Sequence, residues 1–334
     1  MKLYYPSFEI TVGSKTFTPS STKIFDVRVK CGLCPKVDTL ELIFTRDDET
    51  EKVQMGENVI VKAGYEDKLQ TVFSGIVDSI EKSFRQIRVQ ALNRALHFTI
   101  FRLNRVYLSQ TAGKIVSDIL DSLNKRLVEK GEEPLKYEKI MDGIMFPYYV
   151  IGENICAYEH IARLAEKSNY ICYTTPEGLL NFKEYERREP YTLKYGENII
   201  EVSMVKLFNP IGGVTVYGES PSSWAGRETF HWLSKKDYSG TSGKGVHELI
   251  LKDPSIKDTD TVSTVAENIY SRRKRDFMTF LRILGEPKIK VGDTVKVENV
   301  LGSQEPIELQ VVEVEHHLNF GEGFTTLVGG VEVK

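Results

Sequence analysis

Long hydrophobic runs are missing from this chain: no window of its 334 residues approaches eighteen consecutive apolar positions, so the sequence offers no membrane-spanning helix. The start, Met1 to Ile10, has one lysine and no apolar stretch ahead of a cleavage site, which excludes a recognisable secretory leader. The expectation is therefore a protein made in the cytoplasm, with no stable membrane insertion. Cysteine is scarce: four in a chain of this size do not make a secreted disulfide framework. Charge of one sign is lacking too, since the net value of -3 has none of the basic excess of a general phosphate binder. Apolar residues at 41% and charged residues at 27% exclude a disordered chain and indicate two or three globular domains.

Catalytic motifs are the next absence. Gly240 to Lys244 has the letters of a phosphate loop, but its spacer is short and Gly245 stands where a hydroxyl must reach magnesium. His247-Glu248 begins like a zinc-protease helix without a second histidine one turn later. Gly321-Glu322-Gly323 reads as a hairpin tip, and Pro221 in Gly218-Glu219-Ser220-Pro221 blocks the turn a nucleophile elbow needs. His316-His317 sits in a strand pattern, so the two rings point to opposite faces and cannot share an ion. Cys31 and Cys34 have the spacing for a metal or a redox disulfide, but no second knuckle accompanies them, and two small residues in a strand-connecting loop is the simpler reading. Cys156 and Cys172 fall in different elements. The expectation is no catalytic, cofactor-binding or metal-ligating residue and no cofactor. Paired carboxylates of the glycosidase kind stay open, because their separation is visible only in coordinates.

What is present is strand grammar interrupted by helices. From Phe8 to about Leu103 the runs Val27-Arg28-Val29-Lys30 and Ile87-Arg88-Val89-Gln90-Ala91 alternate with period two, and Leu40 to Phe44 adds another strand. The period becomes helical over Thr111 to Lys130, where Ile115, Val116, Ile119, Leu120, Leu123 and Leu127 share a face, Ser109 or Thr111 caps the start and Gly131 ends it. A second helix is expected from about Asn154 to Ser168, followed by a hairpin turning at Pro176-Glu177-Gly178. Strands resume at Ile199 to Val205 and Gly213 to Gly218; Ser220 to Lys257 is rich in Ser and Gly, with Ser239 to Gly245 expected as a mobile surface loop. A third helix runs from about Asp260 to Arg275 and strands close the chain from Phe280. The run Arg272-Arg273-Lys274-Arg275 is read as hydrated cations complementing a helix C-terminus, the alternative being a contact with an acidic partner or nucleic acid. Trp224 and Trp232 flank Arg227, which is read as a loop packing on its own domain, with carbohydrate stacking as the alternative.

Two stretches echo each other. Gln54-Met55-Gly56-Glu57-Asn58-Val59-Ile60-Val61 leads to Phe73 to Ile80, and Lys290-Val291-Gly292-Asp293-Thr294-Val295-Lys296-Val297 leads to Leu309 to Glu315. Each starts with a Gly-acid turn and continues as a hairpin on a half-buried sheet.

Phe73 to Ile80, then Ile87 to Ala91, then Arg105-Val106-Tyr107-Leu108 leading into Thr111 to Leu120, resembles the phage late control protein D family of tail hub proteins and the hub portion of type VI secretion spike proteins. Ile161 to Glu166 with Tyr170, Gly178 to Phe182, Lys194 to Ile199 and Lys290 to Asp293 extend the resemblance over nearly the whole chain; Ser220 to Lys257 matches poorly. The resemblance implies a mainly β α+β fold with two similar small, tail-tube-like β-barrels and an inserted α/β domain. The corresponding division is 1–103 for the first barrel, 104–198 for the inserted domain, 199–219 with 280–334 for the second barrel, and 220–279 for a loop and helix associated with the insertion. It implies a homotrimeric ring in a baseplate, assembled into a virion or particle tail. Its partners would be a tail tube or tube-initiator protein and a separate spike, since the chain stops at Lys334, with tape measure and baseplate wedge proteins beyond these. Nucleic acid would pass through only in transit. The rival readings are a nucleic-acid-binding β-barrel and a tail-associated peptidoglycan hydrolase.

Overall fold

A computed structural model describes residues 5–21, 23–206, 211–218, 238–274, 277–300, 305–319 and 321–333. The first seven strands are β1 (Pro6–Val12), β2 (Lys15–Phe17), β3 (Ile24–Gly32), β4 (Thr39–Thr45), β5 (Asn58–Tyr65), β6 (Lys68–Lys82) and β7 (Gln86–Asn93). Their period-two alternation puts Ile10, Val27, Val29, Leu40, Leu42, Phe44, Val59, Val61, Val89 and Ala91 inside one core. All neighbours pair antiparallel in the order β3-β4-β7-β6-β5-β1-β2.

An α/β unit follows: α1 (Leu96–Ile100), β8 (Arg105–Thr111), α2 (Ala112–Glu129), β9 (Lys136–Ile140), β10 (Met145–Ile151), α3 (Ala157–Lys167), β11 (Tyr170–Thr174) and β12 (Leu179–Glu184). The apolar face of α2 is the one its spacing predicts, from Ile115 to Leu127. Thr111 Oγ1 accepts the Lys114 N–H at its start, and Gly131, at φ +77°, ends it with its N–H on the Val128 carbonyl. The helix α3 starts at Ala157, later than the apolar pattern alone suggests. The loop between β3 and β4 anchors this unit to the first strands. Cys34 is disulfide-bonded to Cys172 of β11, and Tyr158 of α3 donates to the Lys36 carbonyl at 3.1 Å. Beside it Asp38 accepts from the Gly32 N–H (3.0 Å) and the Asn93 amide (2.6 Å); burial pushes its carboxyl up to about 7, against the pull of these two donors.

The remaining elements are β13 (Tyr191–Lys194), β14 (Ile199–Lys206), β15 (Ile211–Tyr217), β16 (Ser239–Gly243), β17 (His247–Lys252), α4 (Thr259–Arg273), β18 (Phe277–Leu284), β19 (Thr294–Glu298), β20 (Ile307–Asn319) and β21 (Gly323–Glu332). Here the echo in the sequence becomes a repeat of architecture. The order β14-β18-β21-β20-β19 reproduces β3-β4-β7-β6-β5: in both, the strands lie side by side as first, second, fifth, fourth and third along the chain. Registers repeat with it. A bulge between Ile24 and Asp26 in β3 recurs between Ile199 and Glu201 in β14, and one between Val77 and Ser79 in β6 recurs between Val311 and Glu313 in β20. The Gly-acid turns repeat bond for bond. Gly56 N–H donates to the Val77 carbonyl and Val77 N–H to the Glu57 carbonyl, both at 2.9 Å; Gly292, Val311 and Asp293 do the same at the same distances. Glu57 and Asp293 each cap their own turn by accepting the N–H of Gln54 (3.0 Å) and Lys290 (2.8 Å). Both glycines sit at positive φ, +83° and +89°, which an L side chain rarely adopts. The sixth strands differ: β1 runs antiparallel to β5, β13 parallel to β19. The two modules are joined edge to edge by β3 and β20 into one thirteen-stranded sheet.

The fold is mainly β, of the α+β class, as the resemblance implies. Several elements lie elsewhere than the sequence pattern suggests. Residues 211–217, expected with the second barrel, leave it: β15 pairs with β16 and β17 in a separate three-stranded sheet covered by α4, because Val214 and Val216 share a core with Val262, Val265, Ala266 and Ile269. Residues 191–194, expected in the inserted domain, pair with β19, and Ala95 and Phe98, expected in the first barrel, pack into the α/β core. The glycine run at 239–243 is a strand rather than a loop. A Cβ on Gly240 would fall 2.6 Å from Ser263 Cα, so glycine is there for close approach to α4.

Candidate docking surfaces

The seam between β3 and β20 is the reference for any contact between modules. Glu313 to Asn319 pair antiparallel with Gly32 to Asp26. On its outer face His317 Nε2 and the Asn319 amide meet Asp26 Oδ2 at 2.7 and 2.8 Å, and Glu315 lies 3.2 Å from Arg28 and 3.3 Å from Lys30. On its inner face Val314, His316 and Leu318 are buried, Leu318 within the core of the first module. Thr326 Oγ1 accepts the Glu286 N–H at 3.0 Å, which leaves its hydroxyl proton for His316 Nδ1 at 3.0 Å. Burial pushes the His316 ring down to about 4, so it is neutral near pH 7.

The counterpart of β3 has no such cover. Among the described residues β14 pairs with β18 and, beyond a single bridge from Ile199 to Tyr195, with no other strand, and Ile200, Met204 and Val205 are 47%, 48% and 40% exposed. Val27 and Val29, the matching positions of β3 for Val202 and Met204, are fully buried. The tip of the β6–β7 hairpin is bare as well, with Phe84 89% exposed. Exposed strand edges of this kind invite another strand.

A third surface is the β8–β10 ribbon. Its inner face buries Tyr107, Phe146, Tyr149 and Ile151; its outer face presents Val106, Leu108 and Val150 to solvent around Tyr148, over which Lys257 Nζ sits 4.9 Å from the ring centroid.

The residues singled out for chemistry are dispersed. Among the described residues no group of three or more His, Cys, Asp or Glu is placed to hold a metal ion. Cys31 pairs with neither Cys34 nor a metal cluster; it is free, and Cys34 is tied to Cys172 across 138 residues, a pairing no local spacing signals. His247 and Glu248 lie in β17, not a helix, and Gly240 to Gly243 form β16. Gly321 to Gly323 lies at the β20–β21 turn, and His316 and His317 point to opposite faces. The basic run is not simply hydrated. Arg272 is largely buried and donates to the Tyr170 carbonyl at 3.0 Å, and Arg273 pairs with Glu166 at 2.9 Å, so two of the cations fasten α4 to α3 and β11. Arg275, Trp224, Arg227, Trp232 and Ser220 lie outside the described residues. A cleft of about 990 Å³ separates α4 from the second module; Glu184, Glu267, Arg272 and Gln310 line it without a nucleophile and base in contact. No helix among the described residues is long and apolar enough to cross a membrane.

No protein-family profile matches the chain and no curated protein matches it. Solved structures do. The 43 kDa tail protein of prophage MuSo2 from Shewanella oneidensis superposes with a TM-score of 0.74 at 13% identity, covering 98% of each chain. A tail protein from Neisseria meningitidis MC58 gives 0.72 at 15% identity, over 98% of this chain and 97% of that one. The Escherichia coli c3393 protein, described as a component of the type VI secretion system, gives 0.60 at 10% identity, over 97% of this chain and 77% of its own. The structural neighbours are thus phage tail proteins and proteins of type VI secretion, and this chain has their fold.

Proposed function

We propose that this protein is a structural, non-enzymatic hub of a phage tail or tail-like contractile injection baseplate. Three copies form a ring, and two alike β modules per copy give six similar positions, so one side of the ring meets a six-fold tail tube and the other a three-fold spike. The observation that carries this reading is the repeat itself: strand order, two bulges and both Gly-acid turns recur between the modules. Two modules with matching registers present matching strand edges, which a ring of six similar positions requires. The fold shared with tail proteins supports it. Incorporation into a particle tail, after synthesis in the host cytoplasm, follows from the same reading.

Purified protein is expected to run as a trimer in light scattering at high concentration and to appear as a three-fold ring by electron microscopy. A monomer under both conditions would overturn the proposal. The nucleic-acid reading loses its main support with Arg272 and Arg273 engaged inside the subunit; steep salt-dependent binding to single-stranded DNA is the result that would revive it.

A further inference from the structure

The seam inside the subunit is a template for the seam between subunits. The first module offers β3 as one edge, and the second covers it with the distal half of β20. Because the modules match strand for strand, the second module's β14 is the counterpart of β3, and the first module's β6–β7 tip is the counterpart of the distal β20. Among the described residues the first is uncovered and the second covers nothing. We propose that β14 of one copy pairs antiparallel with the end of β6 and its turn in the next copy, in the register of the internal seam. This rests on the ring reading and specifies its subunit contact.

The bulges fix the register as far as the end of β6. Val77 corresponds to Val311, so Ile80 and Lys82 correspond to Val314 and His316, and the turn residues Ser83, Phe84 and Arg85 follow where β20 continues with His317, Leu318 and Asn319. Ile24 corresponds to Ile199, so Glu201, Val202, Ser203 and Met204 correspond to Asp26, Val27, Arg28 and Val29. Copying the pairs of the seam then sets Arg85 opposite Glu201, Phe84 opposite Val202, Ser83 opposite Ser203 and Lys82 opposite Met204.

The side chains fit these places. Phe84, 89% exposed in the turn that follows β6, falls where Leu318 plugs the neighbouring core inside the subunit. Met204, 48% exposed where its counterpart Val29 is buried, and the half-buried Val202 receive it. Arg85 and Glu201 are both exposed and bring opposite charges to the place where Asn319 bonds Asp26. Lys82, at the place of the buried His316, carries its amine aside to the Glu51 carbonyl at 3.2 Å.

The test is a cross-link in the full-length protein. Directly opposed Cα atoms in an antiparallel pair are about 4.5–5.5 Å apart, within disulfide range. Ser83→Cys combined with Ser203→Cys is expected to give covalent dimers and trimers on a non-reducing gel under mild oxidation, each single variant giving monomers. Ser83→Cys with Val205→Cys, two residues out of register and so about 7–8 Å apart, is the control expected to stay largely unlinked. In the same protein Phe84→Ser should abolish the trimer in light scattering while leaving the far-ultraviolet dichroism of the subunit intact. Arg85→Glu should weaken the trimer, and Glu201→Arg added to it should restore it. A trimer that persists with no Ser83–Ser203 cross-link overturns this contact and leaves the ring standing. A wild-type protein that stays monomeric overturns both.

Discussion

Acid should loosen this fold at one identifiable place. His316 is fully buried in β20, its Nδ1 occupied by the Thr326 hydroxyl, and protonation would set two donors against each other in a site that excludes water. Its ring is held at about 4 against an ordinary 6.5. Between these values the unfolded chain binds a proton that the folded one refuses, so the stability this group contributes is present above pH 6.5 and is lost as pH falls towards 4. The window of about 2.5 pH units at about 1.36 kcal/mol per unit gives a swing of about 3 kcal/mol, most of it spent by pH 4.5. Exposed carboxylates also titrate in this range, so the measurement is a difference. Urea unfolding is followed at pH 7.5 and pH 4.5 for the wild type and for His316→Gln, whose side-chain oxygen can still accept from Thr326. The variant should lose less stability on acidification than the wild type, by about 2–3 kcal/mol. Equal losses in the two proteins would refute the assignment of a buried neutral imidazole.

Asp38 should act with the opposite sign. Its folded value of about 7 lies above the ordinary 3.8, so its contribution is complete below pH 4 and is lost as pH rises to 7; Asp38→Asn should remove that loss, read as the difference from the wild type in urea midpoints at pH 4.5 and pH 7.5. Gly56→Ala and Gly292→Ala should each cost about 1 kcal/mol or more for positive φ, and Gly292→Ala should cost more, because its Cβ would meet Tyr173 at 3.1 Å whereas Gly56 has open space around it; the reverse order in chemical denaturation would contradict the packing. Cleaving Cys34–Cys172 opens a loop of 138 residues, for which chain entropy sets a ceiling of about 5 kcal/mol, so dithiothreitol should lower the melting temperature of the wild type and leave Cys34→Ser with Cys172→Ser unaffected.

Much of this architecture is legible in the residues because alternation reports which face of a strand is buried. Val27, Val29, Leu40 and Leu42 are inside for that reason, as the α2 stripe is. Alternation says nothing about which strand lies alongside, so the departure of β15 into its own sheet has no local signal. Glycine is ambiguous in the same way: it serves mobility in a loop and close approach in a sheet, and only the presence of α4 over Gly240 decides between them. Arg272 and Arg273 look like solvated cations until Tyr170 and Glu166, a hundred residues away, are brought to them. The exposed surfaces are the least visible feature: nothing around Phe84 in the sequence separates a bare hairpin tip from a covered one, and only the assembled strands show that it stands clear.

Between β3 and β4 the chain spends only residues 33–38, whereas between their counterparts, β14 and β18, it spends residues 207–276 and builds a sheet and a helix. The lattice of paired strands is indifferent to that difference, because both excursions leave from the same corner of their module. What hangs from that corner can therefore differ between the two modules without disturbing the strand pairing that holds each of them in register.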